Sequence, residues 1–267
     1  MRRALAGCLA LSVAAPPLGV FLVLRRMSLM SDVLQHGVLP GIAVGAAVGG
    51  LSVWAMGIGG MLAGLAVALL AGWFARRTGT GEDSQLAALY LVALAAGVAL
   101  ISAQRGVDLT HLLFGSVLAV DNTALLAMAG AATLTLPVLA VIWRPLVLES
   151  IDPGFPAGFG GIWHGCFLAL VVLSVVAGFE ALGTLMSVGL MMLPAIAARH
   201  WCGSLAGQVS AAVALAVAAS VIGLLVSFNV EIPAGPAIVL TAGGFWVVSL
   251  LAGPREGLLR GGGAWRG

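Results

Sequence analysis

Residues 25–41 read RRMSLMSDVLQHGVLPG. Two arginines close an apolar run over residues 4–24, and a second apolar run opens within the quoted stretch. Charge set between two runs of this length is the pattern of helices that cross a hydrocarbon core about 30 Å thick. Asp32 and His36 stand four residues apart where the second run begins.

Composition extends that reading to the whole chain. Of 267 residues, 61% are hydrophobic and only 8% charged, and mean hydropathy is +1.14. A water-soluble domain carries about a quarter of its residues as charges, so this chain has too little polar surface to cover itself. The expectation is an all-α polytopic transmembrane bundle forming one domain over residues 1–267. The 38 glycines agree, because helices in lipid approach closely through small residues.

All 12 basic residues are arginine. Without lysine there is no G-x-x-x-x-G-K-[ST] phosphate loop and no Schiff-base chemistry. The chain is therefore read as no enzyme, and any ATP that drives it is hydrolysed by another polypeptide. Cys8, Cys166 and Cys202 show no paired spacing and read as small buried hydrophobes. A cleaved leader in MRRALAGCLALSVAA is the alternative for the N-terminus, but the apolar run continues to Leu24.

Nine spans are expected, near residues 4–24, 33–52, 54–74, 86–103, 122–143, 162–178, 181–198, 205–228 and 237–252. The second and third are divided only by VGGLSVW, residues 48–54, so eight is the alternative count. The segment 106–120, GVDLTHLLFGSVLAV, is apolar but short and suits a re-entrant or interfacial helix. With the N-terminus outside, nine of the 12 arginines fall on inner loops: Arg25, Arg26, Arg76, Arg77, Arg144, Arg199, Arg255, Arg260 and Arg266. That bias sets the orientation. Asp108, Asp121, Glu180 and Glu231 then lie at the outer face. They are ordinary loop acids or, together, an entrance that concentrates cations.

Positions i and i+4 share a helix face, so Asp32 and His36 are placed to share one ligand. A carboxylate with an imidazole suits a first-row divalent metal. The equal alternative is that Asp32 caps the helix and His36 packs in the bundle. Gly37, Gly41, Gly45 and Gly49 repeat every four residues and read as a helix-packing face. Pro40 lacks an N–H, so the carbonyl of His36 loses its helical partner.

The stretch LVLRRMSLMSDVLQHGVLPGIAVG, residues 22–45, resembles the signature of the zinc/manganese/iron ABC transporter permeases, the ABC-3 family. The resemblance continues in order through DLTHLLFGSVLAV (108–120), LESIDPGFPAGFGG (148–161), ALGTLMSVGLMMLPAIAARH (181–200) and VEIPAGPAIVL (230–240). It implies a type II ABC importer-like permease in the bacterial inner membrane. It also implies a homodimer, cytoplasmic ABC ATPase subunits and an extracytoplasmic metal-binding protein. Zinc, manganese or iron would be the cargo, with no tightly bound cofactor, and Asp32 and His36 would lie on its path. Residues 145–161 would form the ATPase-coupling segment, with Arg144, Glu149 and Asp152 as its charges. Pro153, Gly154 and Pro156 make a regular helix there harder to form. Gln35 and Ser31 depart from the serine and glycine usual in the family.

Gln35, His111, Glu180 and Glu231 are further pathway or entrance candidates, whereas His164 and His200 read as inner-surface residues. Three other functions fit the residues less well. A metal-chelate permease would have little use for an Asp–His pair. An intramembrane protease lacks H-E-x-x-H and a plausible serine base. A secondary transporter would show coupling carboxylates near mid-span and internal repeats.

Overall fold

The computed structural model describes residues 2–28, 30–50, 52–79, 82–103, 121–151, 162–255 and 257. Among them every regular element is an α-helix. In chain order these are α1 (Arg2–Leu24), α2 (Met30–Gly37), α3 (Leu39–Gly49), α4 (Val53–Thr78) and α5 (Glu82–Ala103). The second group is α6 (Asn122–Ile151), α7 (Ile162–Leu182), α8 (Thr184–Arg199), α9 (Leu205–Val230) and α10 (Ala234–Ala252).

Seven of them, α1, α4, α5, α6, α7, α9 and α10, are long and apolar enough to cross a membrane. The two other expected spans are built differently. The run over 33–52 is broken into α2 and α3 at Val38, two residues before Pro40, where the missing N–H interrupts the ladder. The run over 181–198 is the 16-residue α8, set off from α7 by Gly183 alone. Gly183 has φ +85°, which a side chain would strain. Two expectations, His111 with the re-entrant segment 106–120 and Asp152 with most of the coupling segment, lie outside the described residues.

Helix α1 is the most deeply packed long helix and touches α6, α7, α8 and α9. Phe21 meets Trp143 of α6 edge-on, with ring centroids 5.1 Å apart, and Phe167 of α7 at 6.1 Å. Ser12 shares a 2.7 Å hydroxyl contact with Ser220 of α9, fully buried. Such interhelical pairs hold where no water competes. On the other side α3, α4 and α5 pack together, joined to the first group through α4 and α7.

The glycine ladder is a packing face, as expected. A Cβ on Gly41 would collide with the Gly59 carbonyl of α4, and one on Gly59 with the Gly41 carbonyl. Gly45 meets the Ala55 carbonyl in the same way. The two backbones lie so close that only hydrogen fits between them.

Contacts between helix ends fix which ends share a side. Arg25, just past α1, reaches Glu149 near the end of α6 and His164 near the start of α7. The Arg255 amide donates to the His200 carbonyl, which puts the ends of α8 and α10 together. Val20 packs with Ala195, Ala198 and Ala212, so these two groups of ends lie at the same face. The arginine-based orientation names that face as the inner one.

Candidate functional site

Helix α2, eight residues long, makes about two turns and carries two polar faces. Asp32 and His36 face outward from the protomer, with side chains 55% and 24% exposed. Ser31 and Gln35, one residue earlier on each turn, are buried. Ser31 Oγ and Gln35 Oε1 have no hydrogen-bond partner among the described residues. Gln35 therefore stands inside the protomer, off the face that carries Asp32 and His36.

The His36 ring is held in a defined orientation. Its Nδ1 lies 2.9 Å from the Asp32 carbonyl oxygen. A carbonyl only accepts, so Nδ1 carries the proton and Nε2 keeps the lone pair that a metal needs. A backbone carbonyl behind a ligand imidazole is a familiar way to fix its tautomer. The Asp32 carboxylate sits 3.7 Å from Nδ1, on the protonated side of the ring. Tyr90 of α5 meets the ring edge-on at 5.5 Å. Sequence reasoning missed Tyr90, although it is the only tyrosine in the chain.

Depth follows from the neighbours. A Cβ on Gly37 would lie 3.4 Å from Val67 of α4. The apolar span of α4 continues from there to Ala75, about 12 Å further at 1.5 Å per residue. His36 thus lies in the half of the bundle's apolar thickness nearer Arg25 and the end of α4. Asp32, one turn nearer that end, carries an exposed carboxylate, which direct contact with lipid would disfavour. No group of three or more His, Cys, Asp or Glu side chains occurs among the described residues. Among the described residues Asp32 and His36 are the pair of such side chains on α2, with the carboxylate beside Nδ1 and the free lone pair on Nε2.

The other candidates are dispersed. Asp121 accepts from the Ala124 amide at 2.7 Å and caps α6, the plain role of a loop acid. Glu231 is exposed at the end of α9 with φ +57°. Glu180 lies in the last turn of α7, whose Leu182 carbonyl is beside Gly235 of α10. Both acids therefore belong to the face opposite Arg25, far from Asp32. Arg144 is exposed on α6. Glu149, expected as a charge open to a partner, is bonded to Arg25 at 2.9 Å. His164 joins that cluster, and His200 is buried at the end of α8 rather than on the inner surface. An apolar cavity of about 290 Å³ between α4, α6 and α7 is lined by residues such as Trp54, Met61, Leu134 and Val176. It offers an ion no ligand.

Known proteins resemble this chain along almost its whole length. The manganese import system permease protein ScaB of Streptococcus parasanguinis is 31% identical, covering 96% of this chain and 91% of that protein. The chelated iron transport system membrane protein YfeD of Yersinia pestis is 30% identical, covering 94% and 84%. The solved structure of PsaBC from Streptococcus pneumoniae in complex with Fab superposes with TM-score 0.84 at 28% identity, covering 96% of this chain and 92% of that one. The chain is thus a multi-pass bacterial membrane protein and a transport subunit. A family model described as the ABC 3 transport family matches residues 1–253, and the chain belongs to that family.

Proposed function

We propose that this chain is the membrane permease of an ATP-driven importer that passes a divalent transition metal inward, with Asp32 and His36 on the metal's path. One observation carries the reading: an exposed carboxylate and an oriented imidazole share a helix face in the half of an apolar bundle nearer Arg25. The cost of such groups against lipid argues for a polar route there.

Two copies of the chain are the natural frame. A two-fold axis beside α2 would bring two Asp32–His36 pairs together and raise the ligand count from two to four. Cytoplasmic ATPase subunits supply the hydrolysis that a lysine-free chain lacks the phosphate loop for. An extracytoplasmic binding protein delivers the ion at the Glu180 and Glu231 face, and residues 145–161 meet the ATPase. Manganese is the favoured cargo. The carboxylate–imidazole set contains no thiolate, which suits it, and several similar proteins are named as manganese permeases. Iron is the second reading, favoured by the name of YfeD.

The test is ATP-dependent uptake into proteoliposomes holding the permease and its ATPase, with Mn²⁺, Fe²⁺ and Zn²⁺ each presented on the binding protein. Saturable uptake of Mn²⁺ above the other two is expected. Uptake of none of them would overturn the reading.

A further inference from the structure

Arg25 is more than nine-tenths buried, and every guanidinium nitrogen is used. Nε donates to Ser150 Oγ at 3.2 Å and Nη1 to His164 Nδ1 at 2.9 Å. Nη2 reaches Glu149 Oε2 at 2.9 Å and the Leu146 carbonyl at 3.3 Å. The cation also lies 5.2 Å from the centre of the Phe167 ring. A guanidinium cannot accept, so His164 Nδ1 must present its lone pair to Arg25. One side chain thus grips the last turns of α6 and the first turn of α7.

The other end of this grip is the metal-motif helix. Helix α1 stops in a Schellman turn: the Met27 amide donates to the Leu22 carbonyl at 2.9 Å and the Arg26 amide to Val23 at 3.1 Å. The left-handed position belongs to Arg26, at φ +60°, where glycine is the usual choice. The Met30 amide then bonds back to the Met27 carbonyl at 3.0 Å, and α2 begins. Between Arg25 and Asp32 there is only this turn and the first residues of α2.

We infer that Arg25 is a positioning residue that ties the Asp32–His36 helix to both ends of the segment proposed to meet the ATPase, so that movement of those ends is passed to the metal path. This rests on the transport reading above. A loose loop would lose such a movement. A buried, fully bonded guanidinium transmits it, because its planar fork is held at four acceptors at once.

The experiment uses the complete complex in proteoliposomes with Mn²⁺ on the binding protein, and reads ATP hydrolysis and metal uptake together. Variants are Glu149→Gln, Arg25→Gln, the exchange Arg25→Glu with Glu149→Arg, and His164→Asn, which keeps an acceptor for Arg25. Expected for Arg25→Gln is assembled complex with basal hydrolysis intact, while Glu149→Gln, inside the segment that meets the ATPase, is read on uptake per ATP alone. Uptake per ATP falls about tenfold in both, while the exchange and His164→Asn stay within about threefold of native. Uptake per ATP unchanged in both single variants would overturn the inference. So would a parallel loss of assembled complex and uptake that leaves the ratio at the native value. Native complex with no ATP-driven uptake would overturn the transport reading and this inference together, a result distinct from either of those.

Discussion

The imidazole of His36 donates through Nδ1 to the carbonyl oxygen of Asp32 at 2.9 Å, while the Asp32 carboxylate stands at 3.7 Å. The backbone therefore sets the ring, and the carboxylate is left to act as charge. Asp32→Asn keeps the carbonyl and should keep the ring's orientation, whereas His36→Ala removes the lone pair itself. Metal uptake should fall in both. Mn²⁺ should protect the His36 ring from histidine-directed modification in the native chain and protect it less in Asp32→Asn, whereas His36→Ala leaves no ring there to modify.

Tyr90 packs on the His36 ring at 5.5 Å. Edge-to-face aromatic contacts contribute about 0.5–1.5 kcal/mol. Tyr90→Phe keeps the contact and should leave uptake within about twofold. Tyr90→Ala should reduce it about three- to tenfold. Equal loss in both would assign the role to the hydroxyl.

Gly41→Ala places a methyl against the Gly59 carbonyl with no flexible atom to yield. Overpacking of this kind costs about 1–3 kcal/mol, and the α3–α4 contact should loosen. Gly130→Ala on α6 meets nothing within 4 Å and should gain about 0.5–1 kcal/mol of helix stability. Thermal unfolding in one detergent would rank the two variants on opposite sides of native.

Gln35 is 1% exposed and its Oε1 has no partner among the described residues. An unsatisfied buried acceptor costs about 1–3 kcal/mol. Gln35→Met, close in size and without the amide, should raise the unfolding temperature and leave uptake intact. A drop in stability would mean that the amide is bonded in the assembled complex.

Much of this was legible in the residues. The apolar runs of the chain became helices near their expected positions because a lipid environment allows a spanning backbone little else. The span count was less legible. Hydropathy does not distinguish one helix from two, and Pro40 and Gly183 divide apolar stretches without changing their composition. Asp32 and His36 on one face followed from i, i+4 spacing, and the structure adds the tautomer, which depends on a carbonyl that no sequence pattern displays. The Arg25 cluster was illegible for a different reason. Its partners lie 121 to 139 positions away, and an arginine after an apolar run reads equally well as an inner-loop charge. Glu149 reads as a coupling-segment charge and His164 as an inner-surface residue, and only packing brings them together.

The central claim is that Asp32 lies on the path of a divalent cation. Mn²⁺ uptake per assembled complex, native against Asp32→Asn in the same proteoliposomes, tests it most directly. The account predicts that ATP-dependent uptake falls at least tenfold, about 1.4 kcal/mol, while the variant assembles and retains basal hydrolysis. Uptake within twofold of native would contradict it and leave Asp32 as a helix-terminal residue with no part in transport.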